Sequence, residues 1–127
     1  MRPDLAEKST CILLVEDEFL IRTIVADDLR GRGYRVIEAV NADEALVIIE
    51  ASLPDLVITD VRMPGSMDGL EMLVIIKKEH PDLPVIVMSG HLEAGLAIAD
   101  GAAIFISKPF DPDALVDAAD SVLAQKR

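Results

Sequence analysis

The chain has 127 residues, 51% of them hydrophobic and 3% aromatic, with no tryptophan and a formal charge of −11. That length is one domain's worth, and the hydrophobic share sets disorder aside. The acidity argues against a nucleic-acid partner and against an anionic membrane surface, both of which would repel the chain. Cys11 is the only cysteine, so an intramolecular disulfide and a Cys-based zinc site are excluded. Met1 to Thr10 lacks the apolar stretch of a signal peptide, and no apolar run approaches the roughly 18–20 residues that span a bilayer. A cytoplasmic protein is expected.

In chain order, apolar strand-length runs alternate with helical patterns. Residues 1–10 read as an N-terminal tail and 11–125 as the domain. Cys11 to Val15 is the first strand; Glu16-Asp17-Glu18 then opens a helix with Leu20, Ile21, Ile24, Val25 and Leu29 on one side, stopped by Gly31 and Gly33. Tyr34 to Ala39 is the second strand. Asn41 with Glu44 resembles a capping box ahead of Ala45, Ile48 and Ile49. Leu56 to Thr59 is the third strand and ends on Asp60. Asp68-Gly69 starts a helix carrying Leu70, Leu73, Val74 and Ile76; Pro84 to Met88 and Ala103 to Ile106 are the last two strands. Asp111 and Pro112 supply the N-cap and first position of the final helix. Near-continuous apolar strands imply a parallel sheet covered on both faces, hence a small doubly wound α/β fold.

In such a fold, ligands bind beyond the carboxyl ends of the strands. Those ends carry Glu16 and Asp17, Asp60, Ser89 and Lys108, so three carboxylates, a hydroxyl and an ammonium converge on one rim. Like charges about 4 Å apart repel by roughly 4 kcal/mol at an effective dielectric near 20, so a counter-charge is required. All-oxygen ligands suit Mg²⁺. A metal held by carboxylates beside a further carboxylate and a lysine is an arrangement for phosphoryl transfer, with an aspartyl phosphate as product. Taken singly, each element has a structural reading: a helix N-terminus favoured by acids, a strand-ending Asp60, a Ser89-Gly90 turn, a Lys108-Pro109 strand stop. Their joint occurrence at four strand ends is what points to a site.

The acidic pair Glu16-Asp17, the turn Asp60-Val61-Arg62-Met63-Pro64, Met67-Asp68-Gly69, Ser89 and Lys108-Pro109-Phe110 together resemble a response-regulator receiver domain, in order and spacing from Ile12 to Leu123. The resemblance implies a flavodoxin-like five-stranded sheet in the order 2-1-3-4-5. It implies Asp60 as phosphoacceptor, with Mg²⁺ held by Glu16, Asp17, Asp60 and the backbone carbonyl of Arg62. Ser89 would hydrogen-bond the phosphoryl group, Lys108 would pair with it, and Phe105 would be the switch aromatic. The Lys108-Pro109 bond would be cis. Arg62 and His91 would flank the path of the hydrolytic water and tune dephosphorylation. The implied partners are a histidine kinase or histidine phosphotransfer protein and a downstream protein target, with no nucleic acid and no membrane. The protein would be no enzyme but a phosphoacceptor that assists its own phosphorylation and dephosphorylation.

Several features depart from the usual pattern. Phe105 lacks the hydroxyl of the frequent tyrosine, and the turn after Pro64 is about one residue longer than the commonest version. The stretch from Ser89 to Gly101 is about three residues shorter, close to one helical turn, and contains Gly95. The fourth helix is therefore expected to be short or irregular. His80 before Pro81 reads as a solvated helix end, and Cys11 as an inert core thiol. No glycine-rich nucleotide loop is present. A receiver-shaped interaction module independent of phosphorylation and a receiver excised from a hybrid histidine kinase are the alternative readings; Met1 and the polar tail Gln125-Lys126-Arg127 fit a whole single-domain protein.

Overall fold

The computed structural model describes residues 9–90 and 94–125. These form β1 (Cys11–Val15), α1 (Phe19–Gly31), β2 (Arg35–Ala39), α2 (Ala42–Ala51), β3 (Leu56–Asp60), α3 (Gly69–Glu79), β4 (Val85–Ser89), α4 (Ala94–Ala99), β5 (Ile104–Ser107) and α5 (Pro112–Gln125). All strand pairs are parallel, in the order β2-β1-β3-β4-β5, as the resemblance implies. β1, β3 and β4 are buried throughout, which is why they read as unbroken apolar runs; β2 and β5 are the half-exposed edges.

Successive side chains of a strand point to opposite faces, and the two cores follow that alternation. Leu13, Val15, Val57, Val85 and Val87 meet α2, α3 and α4 through Ala45, Ile49, Met72, Leu73, Ile76 and Ala97. Ile12, Leu14, Leu56, Ile58, Ile86 and Met88 meet α1 and α5 through Val25, Ala26, Leu29, Leu115, Val116 and Ala119.

Three of the helix starts are set by side chains. Asn41 Oδ1 accepts the Glu44 N–H at 2.8 Å, while Glu44 reaches back to the Val40 N–H at 2.9 Å, one residue short of a closed capping box. Asp68 and Glu71 close a complete box on α3, each accepting the other's N–H at 2.9 Å. Asp111 accepts the Asp113 N–H at 3.0 Å, with Pro112 at the first helical position.

The buried stripe of α1 runs through Val25, Ala26 and Leu29, leaving Leu20 and Ile24, which the sequence pattern puts on the apolar side, 67% and 51% exposed. Val74 of α3 is likewise exposed. Tyr34 precedes β2 instead of starting it, and its hydroxyl donates to Asp120 of α5. Thr10, assigned to the tail, already accepts the Arg35 N–H at 2.9 Å. α4 is six residues long, in keeping with the short fourth helix expected. His91 lies outside the described residues.

Gly69 couples this scaffold to the strand that ends on Asp60. Its N–H donates to the Val61 carbonyl at 2.8 Å, and a Cβ there would stand 2.0 Å from the Asp60 carbonyl oxygen and 2.9 Å from Val61 Cα. Both obstacles are backbone, so no side chain can move aside. Gly69→Ala should therefore lower stability by about 3 kcal/mol, the upper part of the range for overpacking, read as an earlier urea midpoint with unchanged slope. A midpoint equal to wild type would mean that α3 packs less rigidly beneath Asp60 than this contact implies.

Candidate functional site

The sheet order reverses at its centre: β1 is followed by β2 on one side, then β3 on the other. The crevice beyond the carboxyl ends of β1 and β3 is thus the topological switch point. Glu16 and Asp17 follow β1, and Asp60 ends β3. Alternation then decides which side chains meet. Glu16 continues the parity of Ile12 and Leu14, Asp60 that of Leu56 and Ile58, and Lys108 that of Ile104 and Ile106, all on the face covered by α1 and α5. The three converge: Lys108 Nζ lies 2.6 Å from Asp60 Oδ2 and 3.0 Å from Glu16 Oε1.

Backbone donors hold the remaining carboxylate oxygens. The Glu18 N–H donates to Glu16 Oε2 at 3.0 Å, and the Val61 N–H to Asp60 Oδ1 at 2.7 Å. Arg22 of α1 donates to the Glu16 carbonyl at 2.8 Å and pairs with Glu38 of β2. The Lys108 N–H donates to the Ser89 carbonyl at 2.8 Å, tying β5's exit to the end of β4. Glu16 is 1% exposed, and its burial holds the carboxyl above the usual carboxylate range against the opposing pull of the Glu18 N–H and Lys108. Burial also pulls the Lys108 ammonium down, but the contacts with Asp60 and Glu16 outweigh it and the net shift is upward.

Oxygens of Glu16, Asp17 and Asp60 lie within 4.8 Å of one another. Three carboxylates against one ammonium leave an excess of two negative charges. No histidine or cysteine stands in that set, so its chemistry suits a hard divalent cation of the Mg²⁺ kind.

The other residues singled out from sequence lie partly at this rim and partly away from it. Asp17 is exposed at the mouth, and Ser89 is buried at the end of β4. Arg62 is exposed in the turn after Asp60, and Lys108-Pro109 is cis as the resemblance implies. Phe105 is half-buried and packs against the core under α2 and α3, the opposite face from Lys108. Cys11 is buried. His80 is the C-cap of α3, with Nε2 3.4 Å from Glu50, and Glu79 completes a second acidic group there, on exposed surface. Sequence reasoning missed Arg22, the close approach of Gly69 to Asp60, and a contact between Asp43 and Ser66. Only Gly69 carried a signal, as a glycine directly after a helix N-cap.

Comparison with known proteins agrees with this geometry. Residues 12–120 match the response regulator receiver domain family. The nitrogen assimilation regulatory protein NtrX of Azorhizobium caulinodans is 48% identical over 109 residues, covering 83% of this chain and 24% of that protein. The DNA-binding transcriptional regulator NtrC of Salmonella typhimurium is 39% identical over 108 residues, covering 83% and 23%. The chain thus spans about a quarter of the length of these curated relatives. Among solved structures, the receiver domain of NtrX from Brucella abortus superposes with a TM-score of 0.84 at 44% identity, covering 89% of this chain and 98% of that one. A CheY-like receiver domain protein from Methanospirillum hungatei gives 0.88 at 28% identity, covering 94% and 97%. Among the described residues no helix is long and apolar enough to cross a membrane. The chain belongs to the response regulator receiver domain family of two-component signal transduction.

Proposed function

We propose that the chain accepts a phosphoryl group on Asp60 from the phosphohistidine of a histidine kinase or phosphotransfer protein, and that the phosphorylated state is passed on through protein contacts in the cytoplasm. The observation that carries this reading is the contact of one ammonium with two carboxylates at the switch point, beside a third. An oxygen of Asp60 attacks phosphorus, the phosphorus–nitrogen bond of the donor imidazole breaks, and an acyl phosphate forms. Lys108 has three N–H donors and directs two of them to Asp60 and Glu16, which leaves one for a phosphoryl oxygen. The Val61 N–H fixes the Asp60 carboxylate for attack. Ser89, at the end of the neighbouring strand, would hydrogen-bond the attached group. Glu16, Asp17, Asp60 and the Arg62 carbonyl would hold Mg²⁺, which when bound would neutralise charge building on the transferring oxygens. The protein is modified in this reaction and is not a turnover enzyme.

The surface beside the acceptor suits a docking donor. A groove of about 490 Å³ runs between α1 and the loop entering α5, lined by Ile21, Ile24 and Val25 and by Pro109, Phe110 and Pro112. Lys108 lines the same groove, and Leu20, one helical turn before Ile24 on α1, is exposed. An apolar helix bearing the phosphohistidine would fit there and reach Asp60. On the output side, movement of Ser89 toward the phosphoryl group would free Phe105 to shift inward and alter the surface of α4, β5 and α5.

Incubation with Mg²⁺ and a small phosphodonor should label one base-labile site. Asp60→Asn, close in shape, should abolish labelling without unfolding, and chelation of Mg²⁺ should do the same in the wild type. Added Mg²⁺ should raise the melting temperature by binding the native state. A wild-type chain that takes no label would favour an interaction module independent of phosphorylation.

Arg62 and His91 are bulky and neither is a carboxylate, so both should obstruct or misorient the hydrolytic water. Arg62→Ala and His91→Ala should each shorten the phosphate half-life, followed by loss of label, while leaving Mg²⁺ affinity intact. Equal or slower decay in both variants would remove them from this role.

A further inference from the structure

Residues 62–68 carry the chain from the Asp60 strand to α3. The Gly69 N–H closes the base of this loop on the Val61 carbonyl at 2.8 Å, and half-buried Met63 and Met67 pack against the core. The outer bend is tied elsewhere. Ser66 Oγ lies 2.7 and 2.9 Å from Oδ1 and Oδ2 of Asp43, in the first turn of α2, so its single proton is shared between both oxygens; the Ser66 N–H adds a longer contact at 3.3 Å. Gly65 precedes it with φ of +113°, and a Cβ there would stand 3.3 Å from Asp43 Oδ2. A side chain at 65 would be strained and would crowd the carboxylate. Gly65 and Ser66 are thus both shaped to Asp43, which a carboxylate placed only to favour the start of α2 would not require.

We infer that Asp43, acting through Ser66, is a positioning residue for the divalent cation: the latch holds the loop, and with it the Arg62 backbone carbonyl, at the rim beside Asp60. The inference rests on the phosphoacceptor reading above, which supplies the cation and the part of Arg62 in holding it. Mg²⁺ demands near-ideal octahedral geometry, so a ligand carried on a loop contributes fully only if the loop is held. The methionines supply packing without direction, whereas a hydroxyl on a carboxylate is a charge-assisted bond that fixes the distance between loop and helix.

Calorimetric titration with Mg²⁺ alone tests this on wild type, Ser66→Ala, Asp43→Ala, Asp43→Asn and the double alanine variant, with metal-free melting temperatures measured alongside. Both single alanine variants should weaken Mg²⁺ binding by about three- to tenfold, at or below the loss from removing a direct outer-shell partner. The double variant should bind no more weakly than the weaker single, as expected of two halves of one contact. Asp43→Asn, which keeps an accepting oxygen, should recover part of the loss. Unchanged affinity in Ser66→Ala and Asp43→Ala overturns the inference, even if their melting temperatures fall, because the latch would then be structural only. A loss shared by Asp43→Ala and Asp43→Asn but absent from Ser66→Ala overturns it too, as an effect of charge. A wild-type chain that takes up no Mg²⁺ removes the phosphoacceptor reading itself, an outcome visible before any variant is compared.

Discussion

Two carboxylates brought to the ends of neighbouring strands repel one another, and the Lys108 ammonium, 2.6 Å from Asp60 and 3.0 Å from Glu16, is what makes their proximity tolerable. Much of the rest of the structure serves that contact. β1 and β3 are central and fully buried, so their carboxyl ends cannot drift apart. The tie between the Lys108 N–H and the Ser89 carbonyl sets where the lysine stem starts. Backbone N–H groups of Glu18 and Val61 hold the outer oxygens of the two acids and leave the inner ones to the ammonium. The compensation is incomplete by design of the residue set: with Asp17 included, the charge is short by two.

Because Lys108 is shared, a change at Asp60 would be felt beyond it. Its ammonium touches Asp60, its backbone touches the end of β4, and its side chain lines the groove under α1. A phosphoryl group on Asp60 would draw the ammonium toward new oxygens and loosen its hold on Glu16. Three surfaces would then be coupled through one residue, with no need for a distributed pathway.

The fold was legible because its signals are local or periodic. Unbroken apolar runs marked β1, β3 and β4, and polar residues at their ends marked the rim. Asp111-Pro112 announced α5, and the shortened stretch from Ser89 to Gly101, with Gly95 in it, announced a short α4. Legibility failed where a side chain's partner lies far along the chain. Helical period alone cannot rotate α1, so Leu20 and Ile24 looked like core although the stripe runs through Val25, Ala26 and Leu29. Nothing near Asp43 shows that Ser66, 23 residues on, will bind it. Gly69 could be read as a helix-start residue, but not as one pressed against the Asp60 backbone. Within the candidate site the charged residues were readable from their strand ends; Arg22, which holds the Glu16 carbonyl from a helix, was not.

The exposed part of α1 makes physical sense beside this rim. Without a bound cation the negative charge of the rim would oppose the approach of a phosphorylated imidazole, and the chain as a whole is strongly acidic. Long-range attraction to an anionic phosphoryl group would then not supply the free energy of a docking event. Burial of apolar surface can, since it is indifferent to charge and roughly proportional to area. Ile24, which lines the groove, and Leu20, one helical turn before it, are each more than half exposed, and neither packs into either core. Their cost to the free protein is small, because isolated exposed apolar residues are ordinary on protein surfaces. Their value would come on contact with a partner helix, whose burial of the groove would shield Lys108 from water and strengthen the electrostatic contacts that a phosphoryl transfer would use.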